Sequence, residues 1–498
     1  MSDTKSESAL RKNIEAATMI VRTVRSTLGP LGRDKMMVDA GGNAIVTNDG
    51  ATILGELDVS HPGGKMIIEC AQTQESLCYD GTTSTVVLGG ELLTNSENLL
   101  NRGLHPNIVC RGYNEAARIA TEYLSDSLRL EDKDEYLKQV ARTAITGKTV
   151  DAALDAVSDL CVQAVQKAGS AEKVRVLSLP GGTLRDSYLF NGAIVNKHYV
   201  IDREEREMSQ QVVLLNTGLE PQKTDDNITV QLDMKGYSQL KSSNKDDLLE
   251  QAKLIISHLP EGGVVFVRDG AVDHVCVYLH KHNISVVRRL PESALRALSS
   301  TLGLPVAQTP SDIECAAQGN VHTERHYDVD YLFVQGEIES DQSTLVLRGA
   351  TTTTLDEIER GFDDALGVVS LVMNGDGCVA GGGSAYAAMA AHLRTQAASI
   401  EGRAQMAIEA FADSLEILPA TIAENGGLDP LDCILSLRHE LQSGATDYGP
   451  DLENGGVTSM TELGVVEPLS LVRQAVLSAT EVTTAILKID DMVAKRGE

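Results

Sequence analysis

The sequence contains no tryptophan, and its few phenylalanines and tyrosines bring the aromatic share to only 3%. Any core must therefore rest on Val, Ile, Leu and Ala. Basic residues are scarce as well: 43 Lys and Arg stand against 71 Asp and Glu, a formal net charge of -28. Such a surface repels a polyanion, which excludes general nucleic-acid binding. No run approaches the roughly 18 apolar residues of a membrane span, so no membrane partner is expected. The polar start, Met1 to Glu7, lacks the basic and apolar parts of a signal peptide. Eight cysteines at 70, 78, 110, 161, 276, 315, 378 and 433 form no CxxC pair, which disfavours zinc and redox motifs. Reduced thiols in a cytoplasmic protein are the simplest expectation.

What is present is length, and a change of texture along it. At 498 residues the chain exceeds what one core can organise and predicts about three domains. Helical patterning with small residues fills 8–26, 65–77, 85–101 and 106–128, with short β-like pieces at Met36–Val38 and Ala44–Val46. Helices are expected at 132–145 and 150–168, then a strand at Lys173–Leu177. From about 193 to 346 strands and helices alternate: Val212–Leu215, Gly263–Val267 and Ile284–Val287 read as buried strands, with helices at 245–258 and 270–282. Helices return near 355–373, 383–396, 402–424, 429–441 and 468–492. A helical block thus opens and closes the chain around an α/β insertion, and its two parts must meet to make one core. The softest stretches are Met234–Asp246 and the Gly-rich Ser443–Gly456; the first reads either as a surface loop or as a protrusion that folds over something.

Two acidic glycine elements carry the chemistry, Thr47-Asn48-Asp49-Gly50-Ala51-Thr52 and Asp80-Gly81-Thr82-Thr83-Ser84-Thr85. Each sets a carboxylate beside a glycine and hydroxyls, and the second runs straight into a helix-like segment. A nucleoside triphosphate with Mg2+ needs that combination: glycine admits the phosphates, helix-start N–H groups face the anion, and an aspartate holds the metal. Taken singly, Asp80 reads equally well as a helix N-cap and Asp49-Gly50 as a hairpin turn.

Eight motifs in order give a specific resemblance. Val24-Arg25-Ser26-Thr27-Leu28-Gly29-Pro30-Leu31-Gly32-Arg33-Asp34-Lys35-Met36 precedes the two acidic elements. Arg360-Gly361-Phe362-Asp363-Asp364-Ala365-Leu366, Val379-Ala380-Gly381-Gly382-Gly383, Asn425-Gly426-Gly427-Leu428-Asp429-Pro430 and Gly464-Val465-Val466-Glu467-Pro468-Leu469 follow, with Lys488-Ile489-Asp490-Asp491 near the end. Across residues 10 to 493 the chain resembles a subunit of the group II chaperonins, the archaeal thermosomes and their eukaryotic cytosolic relatives. The resemblance implies a multi-domain α and α/β chaperonin fold: a mostly helical, discontinuous equatorial domain (1–130 and 379–498), a small intermediate domain (131–192 and 347–378), and an inserted α/β apical domain (193–346) with a helical protrusion about 234–256. It implies an ATP-dependent chaperone of non-native protein clients, assembled with itself and with paralogous subunits into two stacked rings of about eight.

Site roles follow from the same resemblance, residue by residue. Thr27, Leu28, Gly29 and Pro30 would line the phosphates, although Gly29-Pro30 alone is an ordinary turn. Asp80 would hold Mg2+, and Gly81, Thr82, Thr83 and Ser84 would form the phosphate-facing helix start. Gly381, Gly382 and Gly383 would pass close to the nucleoside, and Glu467 would accept from the ribose hydroxyls. Asp364 would orient the attacking water, assisted by Asp49, while Asp363 reads as a surface residue. Lys148 would sense the γ-phosphate or be an exposed loop lysine.

The chain departs from the family pattern at several places. Tyr79 stands where glycine is usual; at a positive φ this would cost about 1 kcal/mol or more. Leu31 replaces a common basic residue, and Ser384-Ala385-Tyr386 follows the glycines where an acid is usual. His198–Gln211 lacks a His-Pro-Gly-Met-Pro stretch, and no Gly/Met-rich tail follows Glu498. A ring subunit with weakened ATPase is therefore one alternative. A small-molecule kinase or ATPase is another, against which stands the lack of a GxxxxGK[ST] loop.

Overall fold

The computed structural model describes residues 3–38, 44–131, 134–147, 154–201, 209–221, 234–326, 329–337, 340, 342–375 and 377–491, the side chains of 3–8, 234–244, 352–354 and 357 excepted. The chain divides into two compact units, Met1–Val162 with Asp356–Glu498, and Gln163–Leu355.

The first unit is helical and discontinuous. Its centre is the apolar helix Leu469–Leu487, which packs on the helices Pro62–Cys78, Thr82–Asn101 and Pro106–Ser127 from the other end of the chain. Small residues permit the close approach: Gly89 faces Ala479, and Gly90 lies against Val21 of the helix Asp3–Val24. The largest fully buried side chains include Tyr113, Phe411 and Phe362. Tyr113 meets Phe411 edge-on at 5.5 Å and donates from its hydroxyl to Leu92 O at 3.0 Å. The expected helix over 402–424 is two helices, Ala404–Leu415 and Ile417–Asn425, interrupted at Glu416. Glu416 is buried and held by Arg394 at 2.7 Å and by Arg438. Burial pushes its carboxyl up, but the Arg438 and Arg394 guanidinium groups outweigh that and hold it below the usual range.

The second unit holds a six-stranded sheet in the order Ala193–Val195, Val329–Gly336, Ala317–His326, Gln210–Leu215, Gly263–Val267, Ile284–Val287. The last three are the strands expected from the sequence, and they run parallel, with Val212 opposite Val264 and Val264 opposite Ser285. Strict alternation sorts the side chains. Val212, Leu214, Val264 and Phe266 share one apolar layer with Leu295 and Leu298 of the helix Glu292–Leu302. Val213, Leu215, Val265 and Val267 share the other with Ile255 and Leu279 of the helices Met234–His258 and Asp273–His280. A second sheet joins Val174–Pro180, Ser343–Gly349 and Tyr188–Phe190. Two expectations change here. Met234–Asp246 lies in the first half of a 25-residue helix and is not a loop. Ala317–His326 and Val329–Gly336 form an antiparallel strand pair, where a further alternation of helices and strands was expected.

Candidate functional site

The two acidic elements meet at the start of the helix Thr82–Asn101. A Cβ on Gly50 would lie 2.3 Å from Thr83 Oγ1 and 3.0 Å from Thr82 Oγ1, so only glycine lets the Asp49 turn sit against this helix start. The capping roles are the reverse of those read from sequence. Asp49 is the N-cap of the short helix Gly50–Gly55, accepting from Thr52 N at 2.8 Å and Ala51 N at 3.3 Å, and from Thr52 Oγ1 at 2.6 Å. No hairpin turn forms at Asp49-Gly50. Asp80 is not a cap in that sense: Gly81 occupies the N-cap at φ 81°, with no side chain to close the helix end. Asp80 accepts only from its neighbour Gly81 N at 2.7 Å and remains directed by the turn. The turn is fixed from behind by Gln74, whose Nε2 donates to Asp80 O at 3.2 Å and to Leu471 O at 3.4 Å. Thr82 is buried, and Thr83 and Ser84 are half-buried.

The third loop is Thr27–Pro30. Thr27 is buried and donates to Val24 O at 2.8 Å; Leu28 is buried, Gly29 turns at φ 87°, and Pro30 is exposed. Asn425 organises this loop from the far end of the chain, donating from Nδ2 to Leu28 O at 2.8 Å and Arg25 O at 3.1 Å. Gly147 packs on Pro30, where a Cβ would lie 2.8 Å from Pro30 O, and its own carbonyl accepts from Asn48 Nδ2 at 2.7 Å. The loops at 27–30, 47–50 and 146–147 are thus mutually braced. Lys148 lies outside the described residues.

Gly381 to Gly383 and Glu467 form the opposite wall. Strand Cys378–Ala380 pairs with Val466–Pro468, setting Val379 opposite Glu467. Glu467 Oε1 accepts from Gly382 N at 3.3 Å. The glycines are required by the protein itself: a Cβ would lie 3.0 Å from Glu467 at position 381, 2.6 Å from Met460 Sδ at 382, and 2.9 Å from the Pro419 backbone at 383. Burial, with the Asp80 charge adding to it, pushes the Glu467 carboxyl up to about 7, only partly offset by the Gly382 N–H. The same cluster drives the Tyr386 phenol well above its ordinary value, chiefly through burial and then through Glu467, Cys78 and Asp80. The buried Tyr386 hydroxyl and Gln74 Oε1 have no hydrogen-bond partner here. Both are orphaned polar atoms beside Asp80, as expected of a cleft that receives a polar ligand. Among the described residues no cluster of three or more His, Cys, Asp or Glu is disposed to hold a metal.

Asp363 and Asp364 lie on the long helix Thr352–Asn374. Asp363 is exposed, the surface residue expected, and Asp364 is half-buried. Gly367, three residues on, touches Tyr79: a Cβ there would lie 2.1 Å from Tyr79 Cγ. Residues three apart share a helix face, so Asp364 sits on the flank that meets the turn before Asp80. Tyr79 itself has φ 61° and ψ -7°, the left-handed conformation that made glycine the expected residue. The strain is of order 1–2 kcal/mol.

Sequence reasoning did not single out Gln74, Asn425 or Asn48 as builders of the site. Asn425 and Asn48 lie inside motifs already quoted; Gln74 carries no local signal, because its partners are 6 and 397 residues away.

Glycine turns, an open helix start and paired carboxylates, contributed by loops from both chain ends, define the class: a nucleotide-binding protein built on a helical unit. Comparison with known proteins then narrows it. The profile of the TCP-1/cpn60 chaperonin family matches residues 20–496. The chain is 39% identical to the thermosome subunit alpha of Halobacterium salinarum over 99% of its own length and 89% of that protein's. It is 39% identical to a thermosome subunit of Methanopyrus kandleri, and 36% identical to the thermosome subunit alpha of Thermoplasma acidophilum, each over 98% of this chain and 92% of the relative. The chain belongs to the TCP-1/cpn60 chaperonin family and is a group II chaperonin subunit.

Proposed function

We propose that this subunit is an ATP hydrolase that drives enclosure of non-native proteins in a ring cavity. The observation that carries the reading is the meeting of the Asp49 turn with the start of the helix Thr82–Asn101, beside Asp80 and facing Gly381 to Gly383 and Glu467. Mg-ATP, when bound, supplies the γ-phosphoryl group and the charge of the metal. Asp80 would hold Mg2+, and the N–H groups of Thr82, Thr83 and Ser84 would face the phosphates with Leu28, Gly29 and Pro30 opposite, while Gly81 gives the turn its close approach and its own N–H goes to Asp80. Thr27 shapes its loop from within, since its hydroxyl already donates to Val24 O. Glu467 accepts from the ribose hydroxyls in its ionised form. Asp364 orients the water for in-line attack and receives its proton. Asp49, engaged as an N-cap, contributes by holding the loop and its negative charge beside the site. Lys148 would sense the γ-phosphate.

The three-domain division, with an intermediate domain at 131–192 and 347–378 between the equatorial and apical parts, belongs to this reading. So do the apical protrusion about 234–256, the cytoplasmic location, and assembly into stacked rings of about eight. Asp364 then belongs to a segment that moves relative to Asp80, and hydrolysis waits on closure. Apolar surface exposed in the open form attracts unfolded chains without sequence specificity.

Mg2+-dependent ATP hydrolysis by the assembled protein, with Asp364→Ala beside it, tests the reading. The expected result is turnover in the parent and a loss of about 10²-fold or more in the variant, with nucleotide still bound. A well-formed ring of the parent that neither binds nor hydrolyses ATP would refute the assignment.

A further inference from the structure

Two residues near the site are each locally unfavourable. Tyr79 holds a left-handed backbone conformation that bulky side chains seldom adopt. Gly367 interrupts a 23-residue helix with the residue that weakens helices most short of proline. Each is explained by the other. The Tyr79 ring fills the space a side chain at 367 would need: a Cβ there would lie 2.1 Å from Tyr79 Cγ, 2.4 Å from its Cβ and 2.5 Å from its Cδ2. The ring is the knob and the missing side chain is the notch.

The pair sits between two functional carboxylates. Tyr79 immediately precedes Asp80, and its backbone is fixed by its own N–H, which donates to Glu75 O at 2.8 Å. The Asp80 carbonyl is fixed by Gln74. On the facing helix, Asp364 lies one turn before Gly367 on the flank that receives the ring. In the arrangement where the two elements meet, the turn carrying Asp80 is therefore keyed into the helix carrying Asp364, and closure is what brings ring and notch together.

We infer that Tyr79 and Gly367 are a matched pair of positioning residues, which set the placement of Asp364 relative to Asp80 and so the alignment of the attacking water. The inference rests on the ATPase reading above. It assigns the fit to the ring and not to the phenol, and it predicts an effect on turnover and not on nucleotide affinity. An error of about 1 Å in such an alignment is worth up to roughly a hundredfold in rate.

The test uses the assembled protein and four variants: Tyr79→Gly, Tyr79→Phe, Gly367→Ala and the double variant Tyr79→Gly/Gly367→Ala. ATP turnover, KM and MgADP affinity are measured on each, with ring assembly checked by sizing. Tyr79→Gly should lower kcat about ten- to a hundredfold while KM and MgADP affinity stay within about twofold. Tyr79→Phe should keep the parent kcat. Gly367→Ala should lower kcat as well, and the double variant should be less impaired than the product of the two single effects. If Gly367→Ala does not fold, Tyr79→Gly still decides, because glycine is at ease at this φ. A parent that turns over ATP beside a Tyr79→Gly protein of unchanged kcat overturns the pairing alone. A Phe variant as slow as the Gly variant also overturns it. A parent without ATP binding overturns both this inference and the ATPase reading.

Discussion

The two units bury different things. In the inserted unit the sheet carries apolar layers on both faces, Val212, Leu214 and Phe266 on one and Val213, Val265 and Ile255 on the other. In the helical unit buried and half-buried polar groups tie distant parts of the chain together. Asn425 holds the turn at 25–28, Gln74 holds Asp80 to Leu471, and Glu416 joins Arg394 to Arg438. Among the described residues, the buried carboxylates Glu416 and Asp451 both belong to the helical unit. Apolar layers specify thickness and tolerate exchange of similar side chains. Hydrogen bonds to named carbonyls specify the path of the backbone, which a phosphate-binding loop needs more than it needs burial.

If that contrast is right, the largest effect comes from the inserted sheet. Phe266→Ala should destabilise that unit by about 3–5 kcal/mol, read by hydrogen exchange, while MgADP affinity in the helical unit changes less than about threefold. Loss of nucleotide binding in step with the sheet would break the comparison. Glu416→Ala should cost about 2–3 kcal/mol, less than a fully enclosed pair because Arg438 is partly exposed. Its pH signature has a definite sign. A carboxyl held below its ordinary value of 4.5 stabilises fully above that pH, and the contribution is lost as pH falls through the lower folded value. Acid unfolding of the helical unit should therefore lose steepness in the variant, and an unchanged acid limb would remove Glu416 from the account.

The smallest effect sharpens the contrast inside the site. Glu467 has a folded value of about 7, raised from 4.5, so the empty protein binds an extra proton between those values and loses stability as pH rises through them. In the role proposed for Glu467 the ionised form accepts from the ribose, and on that reading affinity should weaken as pH falls through 7, by at most about tenfold per unit. Glu467→Gln should flatten both slopes, measured by calorimetric titration of MgADP from pH 6 to 8. A slope that persists in the variant assigns it elsewhere.

Much of this was legible in the sequence because it depends on local chemistry. The strands at 212–215, 263–267 and 284–287 are continuous apolar runs, and sheets covered on both faces demand them. The positive φ at Tyr79 was legible only as a condition, since the family's glycine at that place could serve a left-handed turn or merely a close approach. Other features depend on partners far along the chain. The polar-rich strand Ala317–His326 has a largely exposed or half-exposed pattern and gives little period-two signal. The break at Glu416 has a local cause that the periodicity reading passed over: Pro419 has no N–H for the Leu415 carbonyl and its ring crowds that carbonyl, while Arg394 and Arg438 hold the Glu416 carboxylate. Asp49 and Asp80 have the same local sequence grammar, and only the packing of Gly50 on Thr83 separates the cap from the open helix end.

The discontinuous helical unit has a consequence for how the protein is made. The helices at 62–78, 82–101 and 106–127 pack on one another and on the N-terminal helix, but partners they share arrive late, in residues 384–415 and 469–487. A ribosome adding about 5–20 residues per second would leave those helices waiting for roughly 20 to 70 seconds, while the inserted sheet has all its strands much earlier. During synthesis the nascent subunit thus leaves exposed, for a long interval, apolar helix faces that the last part of the chain later covers.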